Sequence, residues 1–338
     1  NASSLSTTYT PSGADVTAGS VTLTITGQPN APCVGTSSSA LTVTITTTTT
    51  IAYVDDGYTG LPFGTQVSFP YPGMPGGPYT IGCNAFDTIQ GGVNGVQPNG
   101  TVNVAAGTYN EDVSVTKTVA ILGAGAGSSI VSGPIGGGGS TFQFGADGIE
   151  LAGFTITRDG NNPAQWNLAL NSAGVAIQGR TSGTVRDCVI FGNRTGIDIN
   201  NSNGIVVRNN AIDDNRTGLI LRNTTNGLTV VENSISNNWT VGLLFLDGSV
   251  GTNVPAQQAL NSTFSNNALA GNWYGQIADR QSGGSLPAPG TNLKNFSGNW
   301  YGTTAPVYST ANSAEPGYAA QIPVIYGGAA VPPGGQPD

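Results

Sequence analysis

Apolar and polar positions alternate along this chain in short runs, with little helical spacing. "SVTLTITG" at 20–27, "ALTVTITTTTT" at 40–50 and "TVNVAAGTYNEDVSVTKTVAILGAG" at 101–125 carry β-branched residues at period two. Such runs predict short strands, each burying one face. One segment departs from this. In "NAFDTIQGGVNGV" (84–96), Phe86, Ile89 and Val93 fall at i, i+3 and i+7, which predicts a short helix with one apolar face. Around it, residues 51–100 are rich in Gly and Pro, including "FPYPGMPGGPY".

Beyond residue 101 the pattern repeats. Val185–Ile199 reads "VRDCVIFGNRTGIDI" and Val207–Leu221 reads "VRNNAIDDNRTGLIL", offset by 22 residues. "GVAI" at 174–177 precedes them by one period and "VVENSISNNWTVGLLF" at 230–245 follows. A repeat of this length without a helix predicts a solenoid whose coils bury their inward side chains against each other. Aligning the coils gives columns. Val175/Ile177, Ile197/Ile199, Leu219/Leu221 and Leu243/Phe245 form the inward column. Ala176, Asp198, Ile220 and Leu244 alternate with it and point outward. Ile220 and Leu244 are large aliphatics on that outer face, which marks them as a candidate interface, either with the insertions at 158–173 and 247–260 or with another subunit.

Asn193, Asn215, Asn238, Asn272 and Asn299 align as a further column, which predicts an asparagine ladder at a coil corner. The first three lie in N-x-S/T sequons, open to glycosylation only if they face outward. The next column is Arg194, Arg216, Trp239, Trp273 and Trp300. It includes both copies of "GNWYG", at 271–275 and 298–302. Two readings stand: a corner ladder sealing the solenoid, or a strip contacting glycan or another subunit.

Three segments carry a family resemblance: "FDTIQ", "TVNVAAGTYNEDV" and "KTVAILGAG". With the repeats at 148–302 they resemble right-handed parallel β-helix proteins of the pectate-lyase-like class. The resemblance implies an all-β solenoid whose first coil is capped by a short helix. "TYTPSGADVTAGSVTLTITG" (8–27) resembles the second half of immunoglobulin-like repeats of bacterial surface proteins. This implies a partial β-sandwich, with the chain beginning in mid-domain. The expected organisation is therefore 1–50 partial immunoglobulin-like region, 51–100 linker and capping helix, 101–302 β-helix and 303–338 C-terminal extension.

Charge narrows the function classes. The net charge is −8, charged residues make up 8% and there is no histidine. No basic stripe exists to displace the counterions of a nucleic acid, and the balance disfavours anionic membrane surfaces. No run of apolar residues is long enough for a transmembrane helix. Cys33 and Cys83 are a candidate disulfide, although spacing cannot fix the pairing, and Cys188 is expected to fill the core.

Candidate chemistry is sparse. Asp55/Asp56 and Asp213/Asp214 are neighbouring acids that suggest solvated turns, with calcium as the alternative. Asp187 with Asp213 is a conceivable carboxylate pair across adjacent coils. Arg186 and Arg208 repeat at the coil period, but no acidic trio accompanies them, so no catalytic residue carries over from the resembled class. The expectation is a non-enzymatic protein, extracellular or on the cell surface, without cofactor or metal. It would act as an adhesin or filament subunit and bind other copies of itself head to tail. The donor strand would come from the C-terminal extension, around "AQIPVIYGG". The alternative is a polysaccharide-binding module, or a polysaccharide lyase or hydrolase, on the same scaffold.

Overall fold

The structure, a computed structural model, describes residues 8–45, 49–70, 77–134, 139–158, 173–246, 259–273, 275–279, 294–306, 325–326 and 329–330. Short strands stack in parallel into three sheets of nine, seven and seven strands. In each coil the chain passes from sheet I to sheet II to sheet III. One coil, for example, runs through Gly183–Arg186, Val189–Ile190 and Thr195–Asn200. The next coil repeats these positions in exact register, pairing Val185 with Val207, Ile190 with Ile212 and Ile197 with Leu219. This is a parallel β-helix.

The core is the stack of inward side chains. Ile177, Ile197, Ile199, Leu219 and Leu221 are all fully buried. Each contributes about 1.5–3 kcal/mol through its removal from water. A one-residue slip would turn every one of them outward, so the alternation fixes the register.

From the coil that begins at Gly183 onward, two corners repeat one device. At the corner from sheet I to sheet II, Asp187, Asn209, Glu232, Asn266 and Gly298 all have left-handed backbone. At the corner from sheet II to sheet III, Gly192, Asp214, Asn237 and Gly271 do the same. Asn and Gly suit this conformation because they tolerate positive φ best.

The helix Ile89–Gly95 caps the first coil. Phe86 precedes it in a strand with Ala85, so only Ile89 and Val93 of the expected apolar face are helical. A Cβ on Gly92 would stand 2.6 Å from Val54, so glycine lets the helix lie against the sheet. The Glu111 carboxylate accepts the N–H groups of Ile89 at 2.7 Å and Gln90 at 2.9 Å. The Gln90 side chain then accepts from the N–H of Ser114 at 2.7 Å and donates to its carbonyl at 3.2 Å. That amide covers the open edge of sheet III, where an unpaired strand would otherwise template association. At the far end Phe296 stacks on Phe264, with centroids 4.5 Å apart.

The N-terminal sandwich is not confirmed. Among the described residues, β1 (Ser20–Gly27) and β2 (Ser37–Thr44) form a two-stranded antiparallel hairpin. The following strand, β3 (Thr49–Val54), joins sheet I of the solenoid instead. A short helix, Gly13–Ala18, precedes β1. Cys33 and Cys83 are both free and exposed, which corrects the expected disulfide. Cys33 lies in the hairpin connection, whereas Cys83 lies in a turn beside sheet I. Cys188 is buried, and burial pushes its thiol up to about 12. Apart from a two-residue pairing of Ile325–Tyr326 with Ala329–Ala330, the expected donor strand lies outside the described residues.

Thiol labelling checks this arrangement. Cys33 and Cys83 should react in the native protein, and Cys188 only after unfolding. A second prediction concerns Glu111. Burial raises its pKa above 4.5, against the two backbone N–H groups that lower it. The folded state therefore binds a proton more tightly than the unfolded chain. Stability should fall as pH rises from 4.5 through the raised value. Glu111→Gln should flatten that slope in urea-midpoint measurements.

Candidate functional site

The corners come first, because they hold the site in place. Asn193, Asn215, Asn238 and Asn272 form one ladder at the corner from sheet II to sheet III. The Oδ1 of Asn215 accepts both the backbone N–H and the Nδ2 of Asn193, each at 3.1 Å. Asn238 serves Asn215 in the same way, and Asn272 serves Asn238. Gln276 closes the ladder, accepting from Asn272 Nδ2 at 2.7 Å. All four asparagines are buried, which leaves the sequons of Asn193, Asn215 and Asn238 facing inward.

Asn299 does not belong to this ladder. It caps a second one, at the corner from sheet I to sheet II, built from Asn210, Asn233 and Asn267. Sequence reasoning missed these three, although "NNA" and "ENS" place Asn210 and Asn233 close to the coil period and a second "NNA" places Asn267 after the long connection. Trp300 moves with Asn299. Its partner is Ala268 of sheet II, whereas Arg216, Trp239 and Trp273 follow one another at the other corner. The expected five-residue column is thus four residues, Arg194, Arg216, Trp239 and Trp273. The two "GNWYG" copies sit at different corners, because both corners need a left-handed residue followed by a ladder asparagine. Trp239 donates its indole N–H to Asp214 at 3.1 Å, and Trp300 is half exposed.

The outer face of sheet III carries a polar groove. Its central outward column runs Ser114, Gln143, Ala176, Asp198, Ile220, Leu244 and Ala278. Beside it run Gln178, Asn200, Arg222 and Leu246. A groove of about 330 Å³ lies on this face, with Ser140, Gln143, Gln178, Arg194, Asp198 and Arg222 among its lining residues. On its floor Arg222 pairs with Asp198, Nε donating to Oδ1 at 2.9 Å and Nη2 to Oδ2. Gln178 also donates to Asp198, at 3.3 Å. Asn200 donates to Gln178 at 2.8 Å, and Asn223 to Asn200 at 2.7 Å. The amides and the ion pair thus form one connected network outside the core.

The chain's long connections all join strands of this sheet. Residues 134–141 and 159–172 both lead into sheet III strands, and residues 247–262 leave one. The corners from sheet I to sheet II stay short throughout most of the stack. Ile220 and Leu244 lie at one end of the groove face. They are buried rather than presented to solvent, in a small cluster with Val241. Leu246 and Ala278 pack against the same cluster.

The remaining acids hold turns. Asp55 accepts the N–H of Gly57 at 2.9 Å and Asp56 that of Thr108 at 2.9 Å. Asp213 accepts from Asn237 at 2.9 Å. Asp187 lies at a different corner from Asp213, so the two are not a pair. Asp187 is pushed up by burial, but Asn209 and Arg186 hold it below the usual carboxylate value. Arg186 also bonds Glu150, at 2.6 Å, on the outside of sheet I. Among the described residues no group of three or more His, Cys, Asp or Glu could hold a metal ion.

The ladder makes a stability prediction. Asn215→Ala leaves the N–H of Asn193 and the carbonyl of Ile190 buried without their partners. It should cost about 2–4 kcal/mol. Ser234→Ala, on an exposed position, should cost less than about 0.5 kcal/mol. Chemical denaturation of the two variants checks the difference.

Comparison with known proteins supplies the remaining findings. Residues 135–283 match the family model described as the right handed beta helix region. No curated protein matches the sequence. Among solved structures, ORF18 of Geobacillus virus E2 is 17% identical, covering 71% of this chain and 44% of that one, with a TM-score of 0.43. DFA-IIIase from Arthrobacter chlorophenolicus A6 is 15% identical, covering 56% of each chain, with a TM-score of 0.39. Pectin methylesterase PemA from Erwinia chrysanthemi is 12% identical, covering 72% of this chain and 92% of that one, with a TM-score of 0.38. Thus the chain spans less than two thirds of the first two. The solved structures it matches are mainly enzymes, which overturns the expectation of a non-enzymatic protein. The family match and the stacked parallel sheets establish that the chain folds as a right-handed parallel β-helix.

Proposed function

We propose that the protein acts on an acidic polysaccharide laid along the outer face of sheet III. The observation that carries this reading is the Asp198–Arg222 pair on the floor of the polar groove. The groove is lined by two amides, two hydroxyls and two guanidinium groups, from residues that hydrogen-bond sugar hydroxyls and carboxylates. Its strands stack about 4.8 Å apart, a spacing comparable to one sugar unit of an extended chain. Successive coils therefore meet successive sugars, each coil with its own side chains.

The inventory favours elimination over hydrolysis. Glycoside hydrolysis needs two carboxyl groups flanking one bond. Asp198 is the single carboxylate that lines the groove among the described residues. Elimination moves the C5 proton beside the sugar carboxylate to a base, forms the C4=C5 double bond and breaks the C4–O bond. Water protonates the departing glycosyl oxygen, and a cation holds the charge that develops on the carboxylate. Asp198 suits the role of the base, and Arg222 and Arg194 that of the cation. In a chain of net charge −8, these guanidinium groups give the groove a local attraction for an anionic sugar.

The test is incubation with polyuronates, following binding and the ultraviolet absorbance of unsaturated products. Asp198→Asn should keep binding and lose about 10²–10⁴-fold in product formation. Arg222→Gln should weaken both. Exclusive binding of neutral glycans, or turnover by Asp198→Asn at the parent rate, contradicts the proposal.

A further inference from the structure

Arg158 ends the sheet II strand Thr155–Arg158, and its side chain is almost wholly enclosed. One Nη2 hydrogen bond goes to Asp112 Oδ1 at 3.0 Å and another to the carbonyl of Gly139 at 2.8 Å. Nη1 donates to the carbonyl of Pro134. Nε is buried without an acceptor. Burying a guanidinium with one N–H unmet is costly, so the bonds made by the other nitrogens must hold something in place. They grip both ends of the connection 134–139 and tie it to Asp112, just before the first strand of sheet III. Gly133 leaves room for this grip. A Cβ there would stand 2.5 Å from Asp112 Oδ1 and 2.9 Å from Arg158 Cζ.

What the grip positions lies one residue further on. Ser140 lines the groove, and its hydroxyl accepts the N–H of Ala173 at 3.1 Å. Thr141 returns the link by donating its N–H to the carbonyl of Ala173. Its hydroxyl bonds the carbonyl of Thr157, directly before Arg158. The end of the groove nearest the capping helix is therefore built on the arginine clasp, two coils away from the Asp198–Arg222 pair.

We infer that Arg158 is a positioning residue for the groove: it fixes Ser140 and Ala173 as a terminal sugar-binding subsite. This rests on the reading of the groove as a polysaccharide site. Short ligands seated at Asp198 and Arg222 do not reach that subsite, whereas longer ones do.

Two measurements on the full chain test it, with Arg158→Gln and Gly133→Ala as independent ways to break the clasp. The first is hydrogen exchange without ligand. Exchange should quicken at 139–144 and 173–175, with the strands at 195–200 and 217–222 unchanged. Unchanged exchange at 139–144 in both variants overturns the clasp. The second is binding of oligogalacturonates of graded length. The parent should gain affinity until the ligand spans to Ser140. The variants should lose about tenfold for those long ligands, the worth of one or two hydrogen bonds, and keep the affinity of short ones. Equal affinity of parent and variants at every length overturns the subsite. A general loss of affinity with lowered melting temperature also overturns it, by showing a purely structural role. If the parent binds none of the oligogalacturonates, the polysaccharide reading fails, and the terminal subsite fails with it.

Discussion

Everything on this molecule's surface depends on the hydrogen bonds that lock each coil to the next. Backbone bonds within the sheets supply most of them, but the corners decide the register. A corner has to leave the strand, turn and re-enter, and its backbone groups lose their sheet partners while doing so. In a stack with a dry interior those groups would be buried without partners. The ladder asparagines resolve this, since one side chain bonds the previous coil's backbone N–H, its amide and a carbonyl. Each ladder residue therefore ties neighbouring coils together at a point where no strand exists. Aligned corners give aligned strands, and aligned strands put Gln143, Ala176, Asp198 and Ile220 in one outward line.

Function then depends on which face receives extra chain. The corner between sheets I and II is held tight by its ladder through most of the stack, which leaves little room for insertion. The connections 134–141, 159–172 and 247–262 all join strands of sheet III, the sheet whose outer face carries the groove. A rigid scaffold with variable connections on one side is a common way to place a site. The Asp198–Arg222 pair differs from the other ion pairs in its setting. Arg186 with Glu150 lies on the outer face of sheet I, and Arg158 with Asp112 is buried at a corner. Among the described residues, Asp198 and Arg222 alone combine partial burial with a groove and a connected set of amides.

Much of the fold was legible in the sequence, for a physical reason. The inward column of Val175, Ile197, Leu219 and Leu243 follows from period-two alternation combined with the coil repeat, and both signals are local. The capping helix was legible too, although Phe86 proved to lie in a strand outside it. The identity of each corner was not legible. "GNWYG" satisfies both corners equally, so identical letters concealed that Asn299 and Trp300 belong to a different ladder. The hairpin at the N-terminus has the alternation of a sandwich strand, but alternation says nothing about which sheet covers it. The groove was hidden for a similar reason. Asp198 and Arg222 are separated by more than a coil in sequence, and only the register between Asp198 and Ile220 brings them together.

The claim that the outer face of sheet III is the working surface has one direct measurement. Hydrogen exchange of the whole chain can be followed with and without a saturating acidic oligosaccharide. Protection gained in the strands around Gln143, Gln178, Asp198 and Arg222, with sheets I and II unchanged, is the result the account predicts. Protection confined to the outside of sheet I, or to neither face while binding is observed, would contradict it.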